Sequence, residues 1–253
     1  MKEKDTYIKD VKDGKLLNML TVIGENKDLL LYKYTPSLEY CIDMIANERI
    51  YLSPANEFND PYDSLQAFKI TDINEDDEQL LNAYREGVLF QKSVEQQKTV
   101  KIACFSENKG SSAMWGHYAN KHEGYCLEYR VSDIVHKKTD LLLPVIYDKK
   151  RFIGGECEIP EFVDFMNQLR AIIHKEKAWE YEEEWRFIKH DSETTDLFIE
   201  KVKPKALYLG CRNKVFKDRA ASDILYLCNN HELSLFKMTL SKNDYKLIPE
   251  IIQ

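Results

Sequence analysis

At 253 residues, 43% hydrophobic and 11% aromatic, the chain can bury the core of one large domain or two small ones. Its net charge of −7, from 36 basic and 43 acidic residues spread along the length, argues against an extended nucleic-acid surface and leaves room only for a local basic patch. Six cysteines (Cys41, Cys104, Cys126, Cys157, Cys211, Cys228) form no C-x-x-C pair, which argues against a structural zinc and fits small buried hydrophobes.

In chain order, residues 1 to 27 are rich in Lys and Asp around the apolar patch Leu16 to Ile23, and read as an arm with one short helix. The opening Met1-Lys-Glu-Lys-Asp lacks a signal-peptide pattern, and no apolar run is long enough to span a membrane, so a reduced cytoplasm is the simplest compartment. Leu29–Tyr34 reads as a strand, and Pro36 opens a helix to about Glu48 with Ser37 or Thr35 at its cap. Arg49–Ser53 is a second strand, ended by Pro54 and followed by the turn-forming run Asn56 to Asp63.

Leu65 to Thr71 reads as a strand and the charged, amphipathic run 74–97 as a helix. Thr99–Ser106 is a strand. Ser111 caps a short helix over Met114 to Asn120, which Gly124 stops before the strand Tyr125–Arg130. Leu141 to Tyr147 is a strand, and Pro160 opens a helix to about Lys177. A strand over 182–189, a turn at 191–195, strands near 197–202 and 206–209, a helix over 215–229 and a last strand at 233–238 complete the chain. Strands outnumber helices without βαβ alternation. The expected fold is a single α+β domain over 28–253, with a mixed or mostly antiparallel, split sheet and flanking helices.

Three stretches carry candidate chemistry. Ser53 through Asn59, Asp60 and Asp63 gathers polar groups at a sheet edge, although turn chemistry explains Asn, Asp and Pro there equally well. His117 and His122 stand five apart, off the i, i+4 spacing of a helical metal pair; Trp115 and Tyr118 anchor the short helix, and His117 is a capping, binding or proton-carrying candidate. In Trp179–Ile188, strand alternation puts Glu182, Glu184 and Arg186 on one face, the two carboxylates ~7 Å apart. Carboxylates that close are exposed, held by cations such as Arg186, or part of a site. Catalytic carboxylates, a nuclease-type metal site with Asp60 or Asp63, and a salt-bridged strand edge all remain open.

The pieces Leu31-Tyr-Lys-Tyr-Thr35, Tyr51-Leu-Ser-Pro with Phe58-Asn-Asp-Pro-Tyr62, Cys104-Phe-Ser106, Met114-Trp-Gly-His-Tyr-Ala119 with His122-Glu-Gly124, and Trp179 to Arg186 occur in an order that resembles one bacterial family. It is the domain of unknown function numbered two-nine-seven-one, and the resemblance spans roughly residues 30 to 210. More distantly the chain resembles ADP-ribosyltransferases, whose split sheet carries Arg or His, then Ser or Tyr, then E-x-E on successive strands. Here Tyr32-Lys33-Tyr34 stands in the first place, Ser53-Pro54-Ala55 in the second and Glu182-Glu183-Glu184 in the third.

That resemblance implies an effector or toxin, acting in anti-phage defence, that moves ADP-ribose from NAD to a macromolecular acceptor. NAD would be its substrate and no metal would be needed. Glu184 would stabilise the developing positive charge and Glu182 would orient or deprotonate the acceptor. Tyr32 and Ser53 would line the nicotinamide ribose and ring, Lys33 would meet the pyrophosphate, and Tyr34, Asn59, Asp60 and His117 would stand beside them. A homo-oligomer and a regulatory partner are compatible with the sequence. Two other classes compete: a metal-dependent nuclease effector using Asp60, Asp63, Glu182 and Glu184, and a non-enzymatic sensor or binding module using Trp115, His117 and Tyr118.

Overall fold

The computed structural model describes residues 4–65, 91, 94, 95, 97–137, 140–153, 157–190, 197–217 and 220–252. The strand expected at 65–71 beyond Leu65, nearly all of the helix expected at 74–97 and the turn at 191–195 lie outside the described residues.

The chain begins with two helices, α1 (Lys4–Lys12) and α2 (Leu16–Glu25), where one helix was expected. They are not a loose arm. Tyr7, Val11, Met19 and Val22 are all buried in the main core, and Tyr7 Oη donates to the Pro144 carbonyl at 3.0 Å. Then follow β1 (Leu30–Thr35), α3 (Leu38–Ala46), β2 (Arg49–Tyr51) and β3 (Ser53–Pro54). Ser37 caps α3 by accepting from the Tyr40 N–H.

After β4 (Val100–Ser106) comes α4 (Ser112–Tyr118), capped by Ser111, which accepts from the Met114 N–H. The chain continues through β5 (Tyr125–Arg130), α5 (Val131–Ile134), β6 (Leu141–Pro144), β7 (Ile146–Asp148), α6 (Val163–Ile173) and β8 (His174–Glu176). It closes with β9 (Glu184–His190), β10 (Phe198–Glu200), β11 (Ala206–Leu209), α7 (Ala220–Asn230), β12 (Ser234–Leu240) and β13 (Leu247–Ile251). The last of these was not foreseen.

The architecture is α+β in one domain, as the residue patterns predict. The main sheet runs β13-β12-β11-β5-β1-β4-β9-β6, with β3 also on β4. Every pairing in it is antiparallel except β11 with β12. α2 lies on β6, and α3 lies on β1 and β5, on the side of the larger core. The other side carries a smaller core of Tyr32, Tyr34, Met114, Trp115, Tyr208 and Met238, where α4 covers β1.

One pairing positions everything that follows. β4 is zipped to β9 along its whole length, from Val100↔His190 to Ser106↔Glu184. Its other edge meets β3 only near the beginning (Ser53↔Ile102) and β1 only at the end (Tyr32↔Ser106). Between those two contacts the sheet parts.

Candidate functional site

The parting holds a cavity of about 270 Å³. β1 contributes Tyr32, Lys33 and Tyr34, and β3 contributes Ser53. The turn after β3 contributes Phe58, Asn59, Asp60 and Asp63, and the segment 175–186 contributes Lys175, Trp179, Glu182, Glu184 and Arg186. Of the candidate residues singled out from sequence, all but Trp115, His117 and His122 line this one space. His117 is exposed on α4, its ring 6.3 Å from those of Tyr118 and Tyr181.

The acidic doublet is built differently from the expected strand. Lys177–Glu182 is a 3₁₀ helix, Glu183 takes a left-handed conformation (φ 44°, ψ 51°), and the strand starts only at Glu184. The turn sends Glu183 to solvent, where unbroken strand alternation would set its carboxylate beside the buried Trp185 and Phe187. Glu182 and Glu184 therefore reach the cavity from two elements, both with 5% exposure or less.

Two buried cations hold them there. Lys175 Nζ donates to Glu182 Oε2 at 2.6 Å and to Glu184 Oε2 at 3.2 Å, and lies 3.6 Å from Asp63. Arg186 donates through Nε and Nη2 to Glu184, at 2.8 and 3.0 Å, and through Nη1 and Nη2 to Asp63, at 2.6 and 2.7 Å. Such charge-assisted forks are the strong class of hydrogen bond. Lys175 also sits 4.9 Å from the Trp179 ring centre.

The two carboxyls consequently differ. Burial pushes the Glu184 pKa up, but Arg186 and Lys175 outweigh it and hold the group at about 2. Glu182 is raised: burial comes first, Glu184 adds to it, and Lys175 offsets only part. Tyr118 Oη donates to Glu182 Oε1 at 2.5 Å and completes its partners. Lys33 is half-buried and enters no ion pair among the described residues; burial lowers its pKa, with Cys104 and Glu184 pulling the other way.

The turn residues satisfy both earlier readings. Asp60 accepts from the Tyr62 N–H at 2.9 Å, as turn chemistry requires, and its other oxygen accepts from Trp179 Nε1 at 3.1 Å. Asp63 is buried on Arg186. Among the described residues no group of three His, Cys, Asp or Glu side chains is placed to hold a metal ion. The residue that sequence reasoning missed is Lys175. It was expected inside a helix, and nothing in the run His174-Lys-Glu-Lys177 marks one lysine over the other.

The six cysteines are free, and Cys41, Cys126 and Cys228 are buried. Among the described residues no helix is long and apolar enough to cross a membrane. No curated protein and no solved structure matches the chain, so the likeness to ADP-ribosyltransferases finds no counterpart there. Residues 114–187, which carry Tyr118, Lys175, Trp179, Glu182, Glu184 and Arg186, match the family model described as "Protein of unknown function (DUF2971)" and support the resemblance to that family over this segment.

Proposed function

We propose that the cavity binds the nicotinamide–ribose half of NAD and that the protein transfers ADP-ribose to a macromolecular acceptor, as an effector or toxin. The observation that carries this reading is convergence. Tyr32, Ser53, Asn59, Glu182 and Glu184, scattered over 150 residues of sequence, line one cavity where the sheet parts.

The lining also suits a cationic ring. Five acidic side chains face three basic ones, and six aromatic rings (Tyr32, Tyr34, Phe58, Phe105, Tyr118, Trp179) surround the space. A pyridinium gains from both the acid excess and the ring faces. At about 270 Å³ the cavity sits just below the ~300–1,000 Å³ of most ligand pockets, so it takes one half of a dinucleotide and leaves the other half to the mouth.

In the transfer, the bond between ribose C1′ and the ring nitrogen breaks, and its electron pair leaves with neutral nicotinamide. The ribose carries an oxocarbenium-like charge until an acceptor oxygen or nitrogen bonds to C1′ and gives up its proton. Glu184, ionised and fixed by Arg186 and Lys175, is a preorganised anion for that charge. Glu182, whose proton affinity burial raises, is the candidate to receive the acceptor proton.

The test is nicotinamide release from NAD by the purified protein, with and without cell extract as a source of acceptor, beside calorimetric titration with NAD. Binding, with release that falls at least ~100-fold in Glu184→Gln, supports the proposal. Absence of NAD binding removes it.

A further inference from the structure

A second cavity, of about 200 Å³, adjoins the first and shares Asp60, Asp63 and Lys175 with it. Its remaining lining includes Tyr62, Lys149, Lys150, Arg151, Phe152 and His174. By formal charge its acids and bases cancel, but two of the four acids are paired with cations outside its lining. Asp63 is gripped by Arg186. Asp60 accepts from Trp179 and from the Tyr62 N–H, neutral donors that leave its charge in place. Asp148 accepts from the Lys149 and Lys150 N–H groups and lies 3.5 Å from Lys12 Nζ. Asp60 and Glu176 are left.

Of the four cations of the second cavity, Lys175 is held by the carboxylates of the first, and the other three are not ion-paired among the described residues. Lys149 and Lys150 are exposed, and among the described residues neither enters an ion pair. Arg151 donates to the Leu65 carbonyl at 2.8 Å, a neutral partner, and its guanidinium lies 5.5 Å from the centre of the Tyr62 ring. Three positive charges without an ion pair therefore face two negative ones, Asp60 and Glu176, which leaves the cavity a net positive lining. Such a set attracts a compact anion with several acceptor oxygens.

Rings complete the lining. Tyr62 is 63% exposed although it borders a cavity, and Phe152 is stacked on His174 with centroids 5.0 Å apart. Exposed aromatic faces beside basic groups are what a planar base with a phosphate uses. The volume and the chain's net charge of −7 favour a small ligand over a polyanionic strand.

We propose that this second cavity binds a phosphate monoester carried on a planar base, a mononucleotide, with the phosphate on Lys149, Lys150 and Arg151 and the base against Tyr62. The site stands on its own lining and does not depend on the nicotinamide reading of the first cavity.

The experiment is calorimetric titration at low salt with AMP, adenosine and inorganic phosphate. The proteins are the unaltered chain, Lys149→Glu/Lys150→Glu, and Lys33→Ala as a control for the first cavity. AMP is expected to bind at least about tenfold more tightly than either adenosine or phosphate, a gap of ~1.4 kcal/mol. That gap is expected to vanish in the double variant and to survive in Lys33→Ala. No AMP binding, equal affinity for AMP and adenosine or phosphate, or an AMP affinity untouched by the double variant overturns the proposal, as does its loss in Lys33→Ala alone.

Discussion

Arg186 and Asp63 stand 123 residues apart in sequence and meet as a fork, Nη1 to Oδ1 at 2.6 Å and Nη2 to Oδ2 at 2.7 Å, with neither side chain more than 2% exposed. The same guanidinium holds Glu184, so it ties the turn after β3 to the strand that carries the acidic doublet. The candidate site is thus assembled around a buried cation and not around an open carboxylate.

Removing that cation strands two buried carboxylates. Arg186→Ala is expected to destabilise the fold by about 3–5 kcal/mol, read from the urea midpoint. Arg186→Lys is expected to recover little, because an ammonium cannot fork onto Asp63 and Glu184 at once.

Acid should loosen the protein in two windows. Burial pushes the His174 pKa down to about 4, so its neutral form is favoured in the folded state. That stabilisation is full above the ordinary histidine pKa of ~6.5 and is lost as pH falls towards 4. Glu184, held at about 2, stabilises above the ordinary carboxylate range, and this contribution is lost between 4.5 and 2. The His174 window is worth roughly 3 kcal/mol. Chemical denaturation across pH is expected to show His174→Gln flattening the upper window and Glu184→Gln the lower.

The N-terminal helices are structural. Tyr7→Phe loses a buried hydrogen bond to Pro144 and is expected to cost about 1 kcal/mol. Removing residues 1–25 uncovers the sheet face under Val11, Met19 and Val22 and strips Arg170 Nε of its acceptor, the Val11 carbonyl at 2.9 Å. A truncated chain is expected to aggregate or to lose its cooperative thermal transition, and a melting curve checks this.

Gly124 is fixed by space. A methyl group there would lie 2.5 Å from the Thr35 carbonyl oxygen and 2.8 Å from the Ala119 carbonyl carbon, both backbone atoms with little room to move. Gly124→Ala is expected to cost about 1–3 kcal/mol, measurable as a shift in melting temperature.

Much of the local structure of this protein was decided by short-range chemistry, and there the sequence alone carried it. The Ser37 and Ser111 caps, the strands at 30–35, 100–106 and 125–130, and the α+β class follow from residues within one turn or one strand of each other. β13 escaped notice because its Pro249 and Glu250 break strand composition, and only pairing with β12 makes it a strand. Glu183 looked like a strand residue because alternation does not reveal a left-handed turn. Lys175 and Asp63 were legible as charges and not as partners of Glu184 and Arg186. An ion pair depends on what lies within a few ångströms, and here those neighbours come from elements that only the folded sheet brings together.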